Sequence, residues 1–151
     1  MSRRPRLVVA TGNPGKLREF AALAAAGPLD GLVEVVGPGE PGLLAGPYEP
    51  AEETSPVLAE NAAAKARQAA AATGLVAVAD DTGLYVQALG GRPGPRAARY
   101  AGPHATDRDR VARLLEELRE VPGPLRRAEF RCALAVAVPP GGRRRAGTGR
   151  G

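Results

Sequence analysis

A rapid alternation of elements near the amino terminus narrows the folds open to this chain. RLVVA (6–10) is a short run of strand-forming aliphatic residues, and TGNPG (11–15) is turn chemistry. KLREFAALAAA (16–26) then places apolar Leu17, Phe20, Leu23 and Ala24 at helical spacing. Strand, glycine-containing turn and helix in immediate succession is the building unit of α/β folds. The material for a core points the same way. The chain is 44% hydrophobic but only 3% aromatic, with no tryptophan. Its interior must be assembled from Ala, Val and Leu, which suits helices layered on a sheet better than an aromatic-centred β-sandwich. A length of 151 residues is expected to form a single domain spanning 1–151.

The remaining elements follow from pattern and punctuation. Residues 27–56 are rich in Gly, Pro and Glu, with one weak strand around LVEVV (32–36). A helix is predicted to open at Ser55, with Pro56 in its first turn, and to stop at Thr73–Gly74. LVAVA (75–79) reads as a second buried strand ending in DDTG (80–83), and LYVQAL (84–89) alternates as a third. A Gly/Pro loop (90–105) leads to an amphipathic helix over 106–121 with an aspartate-rich first turn. AEFRCALAVAVP (128–139) is a strand, and PPGG (139–142) opens a hairpin whose return strand begins at RRRAGTG.

Composition removes several classes of function. The single cysteine, Cys132, lies in the apolar run CALAVAV and reads as a small buried hydrophobe. One cysteine allows no disulfide framework, which fits a reducing cytoplasm. There is no apolar run of transmembrane length and no signal peptide, so no membrane partner is expected. The net charge of +5 suits either nucleic acid or phosphate-bearing small molecules. Scarce aromatics for base stacking disfavour nucleic acid.

Scarce residue types mark the candidate site. Only Lys16 and Lys65 are lysines among 21 basic residues, and only Asn13 and Asn61 are asparagines. Lys16 would sit in the first turn of a helix, against the positive end of the macrodipole, at a cost of roughly 0.3–1 kcal/mol. An anion bound there reverses that cost, with Thr11 and Asn13 adding a hydroxyl and an amide. The other reading is an ordinary turn with a solvated lysine. Asp80 and Asp81 are adjacent at the carboxyl end of a predicted buried strand, where open α/β sheets bind ligands. Neighbours in an extended chain face opposite ways, so one can serve local backbone while the other acts as a metal ligand or base. An Asx-type turn is the alternative. Glu52, Glu53 and Glu60 add carboxylates with no basic residue between positions 19 and 64. Acids near a phosphate cradle suit Mg²⁺, a hard cation that bridges carboxylate and phosphate oxygens. Lys65 lies one helical turn after Asn61, so both can face one site. His104, in the Gly/Pro loop, reads as solvated or capping. Ser2 and Ser55 offer no serine-nucleophile arrangement, and zinc ligands are absent.

TGNPGK, AEETS, ENAAAKA, ADDTGL and ALGGRPGPRAARYAG occur in an order that resembles the inosine triphosphate pyrophosphatase family, over about residues 6–140. The resemblance implies an α/β fold, a long mixed β-sheet flanked by helices with a cleft between two lobes. It implies Mg²⁺-dependent hydrolysis of ITP, dITP and XTP to the monophosphate and pyrophosphate by a cytoplasmic homodimer. Residue by residue, Thr11, Gly12, Asn13, Pro14, Gly15 and Lys16 would form the triphosphate loop, and Lys65 would sit on the phosphates. Asp81 would be metal ligand and general base, Glu52 or Glu53 would complete the metal site, and Thr82 would keep a hydroxyl for the substrate. Two departures stand out. Ala97 replaces the serine common in the family, and the family's GFGYDP segment, later lysine and SHR do not appear. The chain is therefore expected to lack the carboxyl-terminal part that reads the base and completes the sheet. The readings to separate from a purine nucleotide pyrophosphatase are a relative with another base preference, a truncated non-catalytic nucleotide binder and a basic RNA-binding module.

Overall fold

The computed structural model describes residues 4–44 and 46–141. Its elements run β1 (Arg6–Val9), α1 (Pro14–Ala25), β2 (Glu34–Val36), α2 (Leu58–Thr73), β3 (Val76–Val86), β4 (Pro93–Gly94), α3 (Asp107–Glu117) and β5 (Ala128–Ala137). Five strands make one mixed sheet in the order β2-β1-β3-β4, with β5 also paired to β3. β1 is parallel to both β2 and β3, whereas β4 is antiparallel to β3. The α/β expectation, a mixed sheet flanked by helices, holds. The chain divides into two compact units. Among the described residues, one contains those up to Glu52, Ala63–Ala79 and Ala135–Gly141. The other contains Glu53–Ala62 and Asp80–Leu134.

In the first unit, Leu7, Val8 and Val9 of β1 pair with Val76, Ala77 and Val78 of β3. Val8, Ala10, Val36, Ala77 and Ala79 form the sheet side of the core. Ala66, Ala69 and Ala70, at helical spacing on α2, are fully buried against it. Methyl-sized side chains let the helix approach the strands closely, which is how a core of Ala and Val fills without aromatics. Gly37, just after β2, serves the same economy of space: a Cβ there would stand 2.9 Å from Leu17 Cδ2 of α1.

The second unit holds the later half of β3, β4 and α3, with Val86 and Leu118 buried. Thr106 caps α3 through a reciprocal capping box with Asp109. The helix ends at Glu117, short of the predicted 121, because the chain turns at Leu118–Glu120 ahead of Pro122.

Three further expectations are corrected. DDTG is not a turn: residues 80–83 lie inside β3, which runs unbroken to Val86, and 87–89 form a 3-10 turn rather than the end of a third strand. Gly83 is small because β4 comes close, not because the chain reverses. A Cβ on it would lie 2.8 Å from the Gly94 carbonyl oxygen. α2 begins at Leu58 rather than at 55 and 56, since the Ser55 hydroxyl accepts the Val57 N–H in a local turn that competes with the helix. Cys132 is exposed, on the β5 face that also carries Phe130, Leu134 and Val136. The predicted return strand from Arg143 lies outside the described residues. Among the described residues, no helix is long and apolar enough to cross a membrane.

Candidate active site

The loop from Thr11 to Lys16 is built by its own side chains. The Thr11 hydroxyl oxygen accepts the Asn13 N–H at 3.1 Å, and Asn13 Oδ1 accepts the Gly15 N–H at 2.8 Å. Asn13 is the N-cap of α1, Pro14 and Gly15 open the helix, and Lys16 stands in a first turn with no acidic residue. The turn is therefore capped, yet its cation still faces the positive helix end, the arrangement that favours an anionic ligand. A cavity of about 400 Å³ opens beside it, lined by Thr11, Asn13, Gly37, Glu40 and Tyr48 among others. Burial raises the Tyr48 phenol above its ordinary pKa, so this hydroxyl keeps its proton at neutral pH.

Asp81 is the buried carboxylate, only 4% exposed. Its Oδ2 accepts a 2.8 Å hydrogen bond from Asn61 Nδ2, and Asn61 is itself 3% exposed. Asn61 Nδ2 also donates to the Ser55 carbonyl at 2.9 Å, while Asn61 Oδ1 accepts the Ser55 N–H at 3.0 Å. Both ends of the amide are thus fixed by backbone, which sets its orientation without ambiguity. Asp80 is only half-buried and takes a long 3.4 Å bond from the Thr82 hydroxyl on the same side of the strand. The adjacent carboxylates do face opposite ways, as an extended chain requires.

Lys65 is buried on α2, one turn beyond Asn61, and so is not a solvated helix lysine. Glu53 is half-buried and lines a cavity of about 530 Å³ with Arg96, Arg99 and Tyr100, whereas Glu52 is exposed. Thr82 and His104 are exposed. Asp81, Thr82 and Glu53 belong to the second unit, and the Thr11–Lys16 loop, Glu52 and Lys65 to the first. Among the described residues, no three His, Cys, Asp or Glu side chains converge as a ready-made metal cage. The donor chemistry fits Mg²⁺ all the same. That ion commonly takes one or two carboxylates and fills its shell with water and substrate phosphate, and Asp81 and Glu53 are carboxylates of that kind.

Sequence reasoning singled out Asn61 for its scarcity but gave it no role. Its partner lies twenty residues on, and only the fold brings the two together. Sequence reasoning missed a second cluster entirely. The Tyr100 hydroxyl donates to Glu117, the Arg113 guanidinium lies 5.0 Å from the Tyr100 ring centroid, and Arg92 approaches Glu117 at 3.5 Å. The Tyr100 bond, foremost, holds the Glu117 carboxyl below the usual carboxylate range. Burial, then Glu117, raises Tyr100. This cluster ties the Gly/Pro loop to α3.

The comparisons with known proteins agree with one another. A dITP/XTP pyrophosphatase of Photorhabdus laumondii is 47% identical over 129 residues, which is 85% of this chain and 61% of that protein. One from Yersinia pseudotuberculosis is 50% identical over the same shares. This chain thus spans about three fifths of the length of the curated relatives it matches. A HAM1 protein from Coxiella burnetii superposes with a TM-score of 0.72 at 36% identity, over 87% of this chain and 62% of that one. The structure of a nucleoside-triphosphatase, dITP/XTP pyrophosphatase, from Mycobacterium abscessus gives 0.70 at 37% identity, over 89% and 65%. The family model described as Ham1 family matches residues 7–151. With motifs, sheet and relatives in agreement, the chain belongs to the Ham1 family.

Proposed function

We propose that this protein hydrolyses non-canonical purine nucleoside triphosphates, ITP, dITP and XTP, to the monophosphate and pyrophosphate, and so clears them from the nucleotide pool. The observation that carries the reading is the buried Asp81 carboxylate, held by Asn61 and aimed away from its half-buried neighbour Asp80. The names borne by the relatives support the substrate class. Asp81 accepts a proton from water as the water oxygen bonds to the α-phosphorus. The bond from the α-phosphorus to the bridging oxygen breaks, and pyrophosphate leaves with the electron pair. Thr11–Lys16 and Lys65 hold the phosphates and take up charge on the leaving group. Mg²⁺, held by Asp81 with Glu52 or Glu53, would neutralise phosphate charge when bound. A cytoplasmic homodimer completes the proposal. Chromatography of an early time point with ITP tests it. IMP and pyrophosphate are the expected products, and accumulation of IDP with free phosphate would exclude this bond choice.

A further inference from the structure

The Asn61 side chain directs its amide oxygen and nitrogen at two partners. It grips Ser55 through both backbone atoms, Oδ1 accepting the N–H at 3.0 Å and Nδ2 donating to the carbonyl at 2.9 Å. With the second proton of the same nitrogen it reaches Asp81 Oδ2 at 2.8 Å. Ser55 stands two residues after Glu53, in the segment AEETS that leads into α2. One buried side chain therefore fixes the Asp81 carboxylate and the backbone that carries Glu53 to a common point. Burial at 3% exposure leaves water little part in this arrangement. The cap chemistry shows the same investment. The Ser55 hydroxyl accepts the Val57 N–H and donates to Glu60, so the segment is stitched on both sides of Asn61 and the helix starts late to allow it. A helix of average design would place an apolar residue at a buried position of its first turns.

We infer that Asn61 is a positioning residue for the divalent cation: it sets the spacing between Asp81 and the Glu53 segment and turns one lone-pair face of Asp81 toward the ion. The inference rests on the proposed hydrolase reading and adds to it a residue that touches neither substrate nor metal. An alkyl side chain of the same shape removes one hydrogen bond from Asp81 and both side-chain anchors from Ser55. Both groups then reorient, and the ion loses its preset geometry.

The test uses Mn²⁺ as the probe, followed by the electron paramagnetic resonance of the free ion, on wild type, Asn61→Leu and Asn61→Ala. Thr106→Ala, which removes a helix cap far along the chain, serves as a variant that loses stability without touching Asn61. Loss of a hydrogen bond to a charged group corresponds to about tenfold to hundredfold in affinity. Both Asn61 variants are expected to bind Mn²⁺ weaker by that factor, to exchange the Ser55 amide proton faster, and to lose turnover with KM for ITP little changed. Thr106→Ala is expected to bind Mn²⁺ as wild type does. If wild type releases pyrophosphate and the Asn61 variants bind Mn²⁺ equally well, the assignment of Asn61 is overturned and the hydrolase reading stands. If Mn²⁺ affinity depends on Asn61 but no nucleotide is cleaved, the hydrolase reading fails and the assignment stands. A wild type that binds no Mn²⁺ overturns both, and a drop as large in Thr106→Ala would show that general loss of stability, not positioning, is at work.

Discussion

Single side chains in this molecule are fixed by hydrogen bonds to groups distant in sequence, and those bonds make their protonation consequential. Glu117 is the clearest case: the Tyr100 hydroxyl, above all, lowers its pKa. A carboxyl depressed in the folded state stabilises it fully above the unfolded value, and that contribution is lost as pH falls through the folded value. The gap in melting temperature between wild type and Tyr100→Phe should therefore be constant at neutral pH and shrink below about pH 4. Thermal melts of the two proteins across the acid range check this. A gap that widens with acid would contradict it. The candidate residues Lys16, Lys65 and Asp81 were legible because the chain is so biased that a lysine, or a second acid beside a first, stands out. The links from Asn61 to Asp81 and from Tyr100 to Glu117 were not legible, since each joins positions seventeen or twenty apart that only the fold brings together.

Elements whose hydrophobic period was regular are found where their pattern placed them: β1, α1, the body of α2 and β5. Boundaries moved where local polar chemistry competed with the period. Ser55 holds off α2 by three residues, and two aspartates hide a strand that runs eleven residues through them. No alternation can predict a continuous strand across DDTG, because the reason it continues is a buried asparagine on another element and a close pass by β4. The later turns of α2 pack on the sheet through the methyl groups of Ala66, Ala69 and Ala70, which makes a specific prediction. Ala69→Leu places three extra carbons where Ala69 has no exposed surface, against strands that cannot retreat. Overpacking of this kind costs about 1–3 kcal/mol. Denaturant unfolding should show a loss of that size, whereas Ala71→Leu, on the exposed side of the same helix, should be close to neutral. Equal effects at the two sites would mean that the helix is not packed as described.

At the scale of the whole molecule, β5 is the strand that leaves large apolar side chains uncovered among the described residues. Phe130, Leu134, Val136 and Val138 are exposed by 62–77%, and Cys132 stands among them. Alternate residues of a strand share a face, so Phe130, Cys132 and Leu134 line one apolar face of β5. Concentration-dependent association of the 151-residue chain is the expected result in sedimentation, abolished by Leu134→Lys with Val136→Lys. Cys132 should react with a thiol reagent in the native monomer. A monomer at all concentrations would contradict the first expectation, and a thiol that reacts only after unfolding would contradict the second. The proposed reaction is attack of water, activated by Asp81, on the α-phosphorus. Hydrolysis of ITP in water enriched in ¹⁸O, with mass spectrometry of both products, tests it most directly. The account predicts the label in IMP with unlabelled pyrophosphate, and a loss of turnover of at least ~10²-fold in Asp81→Asn. Label in the pyrophosphate, or an Asp81→Asn variant as fast as wild type, would contradict it.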